Sequence, residues 1–212
     1  MENRKPGQKR RIRGHADKAA LYGLLIALAF IFSYVEALIP LPVPVPGIKL
    51  GLANLVNVVG LYTVGAAGTL VIGLLRIVMV GFTFSNPGSM LYALAGGILS
   101  LAVMALAKKM DWFEKTGVSI LGGVFHNIGQ LSMAAWITGT AGVFTYLPVL
   151  LVTGVITGGV IGLLGGLVTE RIAPVIQRMR REICSVGIKN CRQDKDYSME
   201  LQTKTDYTER NI

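Results

Sequence analysis

Residues 50–84 read LGLANLVNVVGLYTVGAAGTLVIGLLRIVMVGFTF, an apolar run of 35 residues with Arg76 as its one formal charge. The hydrocarbon core of a bilayer is about 30 Å thick and takes a helix of about 20 residues. The run is therefore too long for one upright helix and short for two, and topology decides between them. Lys and Arg mark the cytoplasmic side of membrane spans. Arg4, Lys5, Lys9, Arg10, Arg11, Arg13 and Lys18 put the N-terminus inside, and Lys108, Lys109 and Lys115 put that segment inside as well. An even number of spans must lie between. Blocks 19–39 and 88–107 supply two, so 50–84 must supply two more, broken near Gly65-Ala66-Ala67-Gly68. Blocks 117–138 and 143–169 then return the chain to the side where Arg171, Arg178, Arg180 and Arg181 lie. The expectation is an all-α polytopic membrane protein of six transmembrane helices with both termini cytoplasmic. Its second helix, about 50–65, must be half-buried, tilted or broken.

Composition agrees with this reading. The chain has 212 residues, 52% hydrophobic and 16% charged, against about 25% charged in an average soluble domain. Of its 21 basic residues, 7 lie in 1–18 and 9 in 170–212. The 151 residues between hold 5 basic residues and three acids, Glu36, Asp111 and Glu114. Eight charges cannot cover a soluble surface of that size. The hydrophobicity of this block excludes disorder there. Cys184 and Cys191 lie in the polar C-terminal part, which excludes a disulfide scaffold, and they are expected as free thiols. The net charge of +9 flanks apolar segments and forms no aromatic-interleaved basic face. It therefore reads as topology-setting charge beside anionic membrane lipids, and no nucleic acid is expected as a partner. The run Ala19–Ile39 is too long for the 7–15-residue apolar core of a signal peptide, so it is expected as an uncleaved first helix.

The expected organisation is a basic cytoplasmic segment 1–18 and a membrane domain 19–169. A juxtamembrane basic helix over 170–184 and a polar, disordered tail over 185–212 follow. Two small-residue stripes stand out. Ala19, Gly23 and Ala27 are four apart on the first helix, and Gly154, Gly158, Gly162 and Gly166 repeat on the last. Such stripes let backbones approach closely in lipid. The last helix's stripe is expected to pack inside the bundle, whereas that of the first helix suits internal packing or another protein equally. The segment 40–47, with alternate prolines, is stiff and extended. It serves either as a spacer or as a lid over an outward-facing site.

Polar side chains inside a membrane are costly and point to function. The candidates are Glu36, Lys49, Asn54, Asn57, Arg76, His126, Asn127 and Gln130, with Asn86 alongside. At 1.5 Å per residue, Arg76 stands about 15 Å into its helix and His126 about 13–14 Å into its own, so both fall near mid-membrane. Gln130 lies one turn from His126 on the same face. A buried Arg stays charged and needs an anionic or carbonyl-rich answer. Two readings follow: a structural network of Arg76 with amides and helix carbonyls, or a ligand site of Arg76, His126, Asn127 and Gln130 with Asn57 opposite. Lys49 suits snorkelling to the interface. No metal-ligand spacing, phosphate-binding glycine loop or nucleophile motif is present, so no metal, no cofactor and no catalytic residues are expected. Prenyl transfer needs clustered carboxylates to hold Mg²⁺, and the one close acid pair, Asp194 and Asp196, lies in the polar tail.

At Pro46-Gly-Ile-Lys-Leu-Gly-Leu-Ala-Asn-Leu55 and at His126-Asn-Ile-Gly-Gln130 the chain resembles the bacterial family called heptaprenyl diphosphate synthase component I, also called Gx transporter. The resemblance covers roughly residues 19–170. The wider pattern is similar to the substrate-binding S-components of energy-coupling factor (ECF) transporters. That implies six helices, an outward-open ligand site, and a first-helix stripe, here Ala19, Gly23 and Ala27, that meets a membrane scaffold carrying two ATPase subunits. It also implies residence in the bacterial cytoplasmic membrane and uptake of a small molecule, which the answer Arg76 needs makes anionic or carbonyl-rich. The synthase name implies another class, a non-catalytic membrane component acting beside a prenyl diphosphate synthase in isoprenoid side-chain synthesis. A third implication is a quinone-linked redox system with an extracytoplasmic flavoprotein.

Overall fold

The computed structural model describes residues 6–38, 51–84, 87–111 and 113–184. Lys49, the proline-rich segment, Asn86, Cys191 and the tail 185–212 fall outside the described residues. Those described are helical, with no strand among them. In chain order they form α1 (Pro6–Leu38), α2 (Leu52–Thr63), α3 (Gly65–Thr83), α4 (Pro87–Met110) and α5 (Lys115–Thr138). A short 3-10 helix (Ala141–Tyr146) then leads into α6 (Leu147–Cys184). The chain divides into two compact units, Met1–Ala19 with Pro174–Ile212, and Ala20–Ala173. Within the first, α6 carries Pro174 inside the helix, where the backbone N–H for the preceding turn is missing. The juxtamembrane helix expected over 170–184 continues α6 through that proline. The packing described next belongs to Ala20–Ala173.

Among the described residues, four stretches are long and apolar enough to cross a membrane: Lys18–Leu38, Gly65–Thr83, Pro87–Met110 and Ala141–Gln177. They mark a multi-pass membrane protein. α5, at 24 residues, has the length, but His126, Asn127 and Gln130 lower its hydropathy. α2, at 12 residues, is about 18 Å long and cannot cross a 30 Å core alone.

The apolar run 50–84 does break into two helices, at Val64-Gly65. The Val64 N–H closes the last turn of α2 on the Gly60 carbonyl at 2.8 Å. Gly65 then takes φ +84°, a left-handed conformation that costs other L-residues about 1–2 kcal/mol. A Cβ there would meet no atom within 4 Å, so conformation, not space, asks for glycine.

The short α2 is the centre of the bundle. Eight of its 12 residues are buried. Val58 and Leu61 pack with Leu101, Met104, Val118 and Ile161 from α4, α5 and α6. Val56 and Val59 pack with Leu25, Ala29 and Ile72 from α1 and α3. Both ends of α2 are answered by charged side chains of other helices. Glu36 Oε1 accepts from the Gly51 N–H at 2.6 Å at the N-terminal end. Lys108 Nζ donates to the Leu61 carbonyl at 2.7 Å at the other, 4.7 Å above the Tyr62 ring. An acid at the N-terminus and a base at the C-terminus match the helix dipole and satisfy backbone groups that lipid cannot. Lys108, read from sequence as a topology marker, closes the C-terminal end of α2 in the structure.

Glycines bring the later helices together. A Cβ on Gly96 would stand 2.7 Å from the His126 carbonyl, and one on Gly129 would stand 2.9 Å from that of Ala95, so α4 and α5 touch backbone to backbone. Ser100 Oγ donates to the Gly122 carbonyl at 2.8 Å across the same contact. On α6, a Cβ at Gly158 would lie 2.8 Å from Ile120 Cα, and at Gly162 2.7 Å from Thr116 Cα. The α6 stripe is therefore packed against α5 inside the bundle.

Candidate functional site

Seven of the eight sequence-selected binding candidates line a single cavity of about 210 Å³. Glu36 reaches it from α1, Asn54 and Asn57 from α2, Arg76 from α3, and His126, Asn127 and Gln130 from α5. Lys49 is the eighth and lies outside the described residues. The convergence follows from the fold. Arg76 and His126 each stand eleven residues into their helices, α3 from Gly65 and α5 from Lys115, or about 16 Å along each axis. The glycine contacts between α4 and α5 then hold His126 and Gln130 close to Gly96.

Arg76 is half-buried and held lightly. Its Nη1 donates to Ser33 Oγ at 3.4 Å, a long bond by the standards of charged donors. Its Nε is buried with no hydrogen-bond partner. Leaving a buried charged donor unmatched costs more than an ordinary hydrogen bond is worth, so the cavity presents an unmet demand for an acceptor. The Glu36 carboxylate exerts a Coulombic attraction on this guanidinium. Asn57 Nδ2 donates to Asn54 Oδ1 at 3.3 Å, one turn apart on α2. Asn57 Oδ1 would lie 3.8 Å from a Cβ on Gly73, one turn before Arg76 on α3.

Asn127 has a job in the scaffold. Its Nδ2 donates to the Leu150 carbonyl at 2.7 Å, in the first turn of α6, and it fills the space beside Gly154. It lines the cavity while tying α5 to α6. Apolar Ile77, Val80, Phe84, Met90 and Ile161 complete the walls. Phe84 also packs against Phe30 and Tyr34, both at 5.5 Å between ring centroids.

Ser33, Ser89 and Thr157 line the cavity too, and sequence reasoning passed them over. Ser33 Oγ donates to the Ala29 carbonyl at 2.9 Å and Thr157 Oγ1 to the Thr153 carbonyl at 2.8 Å. Hydroxyls that satisfy themselves on the preceding turn are cheap in a membrane helix, so they give little signal in a sequence. For Ser33 a clue existed: it lies one turn from Glu36 on the same helix face.

The stripe Ala19, Gly23 and Ala27 is exposed. A Cβ added to Gly23 would meet nothing within 4 Å. Among the described residues, no other helix packs against the stripe at Gly23.

One guanidinium, one carboxylate, an imidazole and several amides thus bring hydrogen-bond donors and acceptors together around a small space. Among the described residues it holds no group of three His, Cys, Asp or Glu side chains placed to grip a metal. No curated protein and no solved structure matches the chain. The family model for heptaprenyl diphosphate synthase component I matches residues 25–168, which take in all seven cavity residues named above. The chain belongs to the heptaprenyl diphosphate synthase component I family.

Proposed function

We propose that the chain is the substrate-binding membrane subunit of an ECF-type, Gx-group uptake transporter in the bacterial cytoplasmic membrane. In this reading it crosses the membrane six times with both termini inside. The cavity opens outward and takes a small molecule with an anionic or carbonyl-rich group. The exposed Ala19–Gly23–Ala27 stripe meets the membrane scaffold that carries the ATPase subunits. One observation carries the proposal: polar residues from four helices, scattered over 95 positions from Glu36 to Gln130, converge on one cavity that contains an unsatisfied Arg76 Nε. A structural network alone would be expected to use its own donors.

The test is ligand retention and uptake. Arg76→Ala should abolish binding while the protein still inserts and folds, read by gentle purification and mass spectrometry of retained metabolites. Unchanged retention in that variant overturns the site. Co-purification of a membrane scaffold with ATPase subunits supports the transporter reading.

The family description favours a second reading, a non-catalytic membrane component acting beside a prenyl diphosphate synthase. The cavity limits that reading. A 150 Å³ cavity holds benzene, so about 210 Å³ has room for about eight non-hydrogen atoms. A heptaprenyl chain is several times larger and could lodge only its headgroup there. Recovery of a soluble, aspartate-rich synthase with the purified protein, and no ATPase, would favour this reading. A bound quinone or an associated flavoprotein would instead favour the redox role.

A further inference from the structure

The donors left over on Arg76 narrow the ligand, an inference that rests on the binding reading above. A guanidinium is planar and presents its N–H groups along fixed edges. One edge pairs Nε with Nη2, and Nη1 lies on the far side of the group. Arg76 spends Nη1, which donates to Ser33 Oγ at 3.4 Å. That is the only hydrogen bond of this guanidinium to a described residue. Nε is buried and has no partner. The edge left over is therefore the Nε–Nη2 edge, on a residue that lines the cavity.

Two parallel N–H groups on one edge fit two oxygens on one centre. A lone carbonyl, a hydroxyl or a halide would answer one of them and leave the other unmatched, which is costly for a buried charged donor. A phosphoryl group would put a third oxygen outside the guanidinium plane. The hydroxyl that touches Arg76 has no proton to give it, because Ser33 Oγ already donates to the Ala29 carbonyl at 2.9 Å. A carboxylate is planar and carries two oxygens and no more. Behind the head, Val80 and Phe84 follow Arg76 at four-residue steps on α3 and line the cavity. They stand about 6 and 12 Å from Arg76 along the helix and offer an apolar wall to a carbon body. We propose that the site takes a small carboxylate, held side-on by Arg76 Nε and Nη2, with its carbon body along Val80 and Phe84.

The test does not depend on the natural ligand. Formate and acetate, the smallest carboxylates, fit easily in about 210 Å³. Chloride, acetamide and inorganic phosphate are the controls, and pentanoate, longer than acetate by three methylenes, probes the apolar wall. The full-length chain is isotope-labelled and purified in detergent, and the readout is the magnetic resonance signal of the Arg76 Nε–H. That signal is assigned by its loss in Arg76→Lys, or in Arg76→Gln where the lysine variant does not fold. Formate and acetate should move it saturably, at concentrations at least about tenfold below those needed for any control. Pentanoate should act at least about tenfold below acetate. An equal response to chloride or acetamide, a preference for phosphate, or an Nε signal that carboxylates leave unmoved overturns the inference. Pentanoate no tighter than acetate overturns the placement of the carbon body. In each of these cases a retained metabolite that is lost in Arg76→Ala leaves the binding site standing. No response to any probe and no retained metabolite removes the binding reading itself, and the inference with it.

Discussion

α6 and α1 carry the same sequence signal and put it to opposite uses. On α6, Gly154, Gly158 and Gly162 press against the α5 backbone, where a single added Cβ would stand within 3 Å of heavy atoms. On α1, Gly23 faces open space and Ala19 and Ala27 are exposed. A four-residue spacing of small side chains therefore says that a helix can be approached closely. It does not say by what. The α6 stripe is consumed in making the cavity wall, since α5 carries His126, Asn127 and Gln130. The α1 stripe meets no described residue at Gly23.

The contrast can be broken in three places, in decreasing order of effect. Gly158→Leu should be the most damaging, because the side chain would enter the space of the Ile120 backbone. Overpacking of this kind costs about 1–3 kcal/mol and more where backbone must move, read as a lower midpoint of denaturant unfolding in detergent. A variant as stable as the natural protein would mean that α5 and α6 are not locked by this stripe. Gly166→Ala, at the loose end of the same stripe, tests its limit. Its nearest neighbour would be Lys115 Cδ at 3.9 Å, ordinary van der Waals contact. There the helix-favouring alanine should stabilise by about 0.4–1 kcal/mol, and a loss of that size would extend the tight contact one turn further. Gly23→Leu should shift the isolated chain by no more than about 0.5 kcal/mol and leave ligand retention unchanged, while preventing recovery of the partner complex by affinity purification. Survival of the complex would move the interface elsewhere.

Much of this architecture could be read from residues alone, and the reasons are specific. The break inside 50–84 was forced by counting charges on either side, and Gly65 supplied the residue able to make the turn. The cavity residues were visible because Arg, His, Asn and Gln are expensive in lipid and therefore conspicuous in an apolar run. The two stripes could not be told apart, because periodicity records which residues share a face and not what the face meets. The dual role of Asn127 was hidden for a similar reason: its partner is the Leu150 backbone carbonyl, and a carbonyl has no letter in the sequence. Lys108 was legible as a charge beside an apolar block, but its partner is the Leu61 carbonyl, again a group with no letter in the sequence. α5 was legible as the apolar block 117–138 in spite of His126, Asn127 and Gln130, which line the cavity.

The two charged side chains that hold α2 are made at different times. Glu36 precedes Gly51 by 15 residues, so the acid is already synthesised when the first turn of α2 forms. Lys108 follows Leu61 by 47 residues. At ribosomal speeds of about 5–20 residues per second, that leaves an interval of about 2–10 s. Through it the last carbonyls of α2 have no lysine to receive, and only completion of α4 closes the far end. The central helix of the bundle is thus among the first to be made and among the last to be finished.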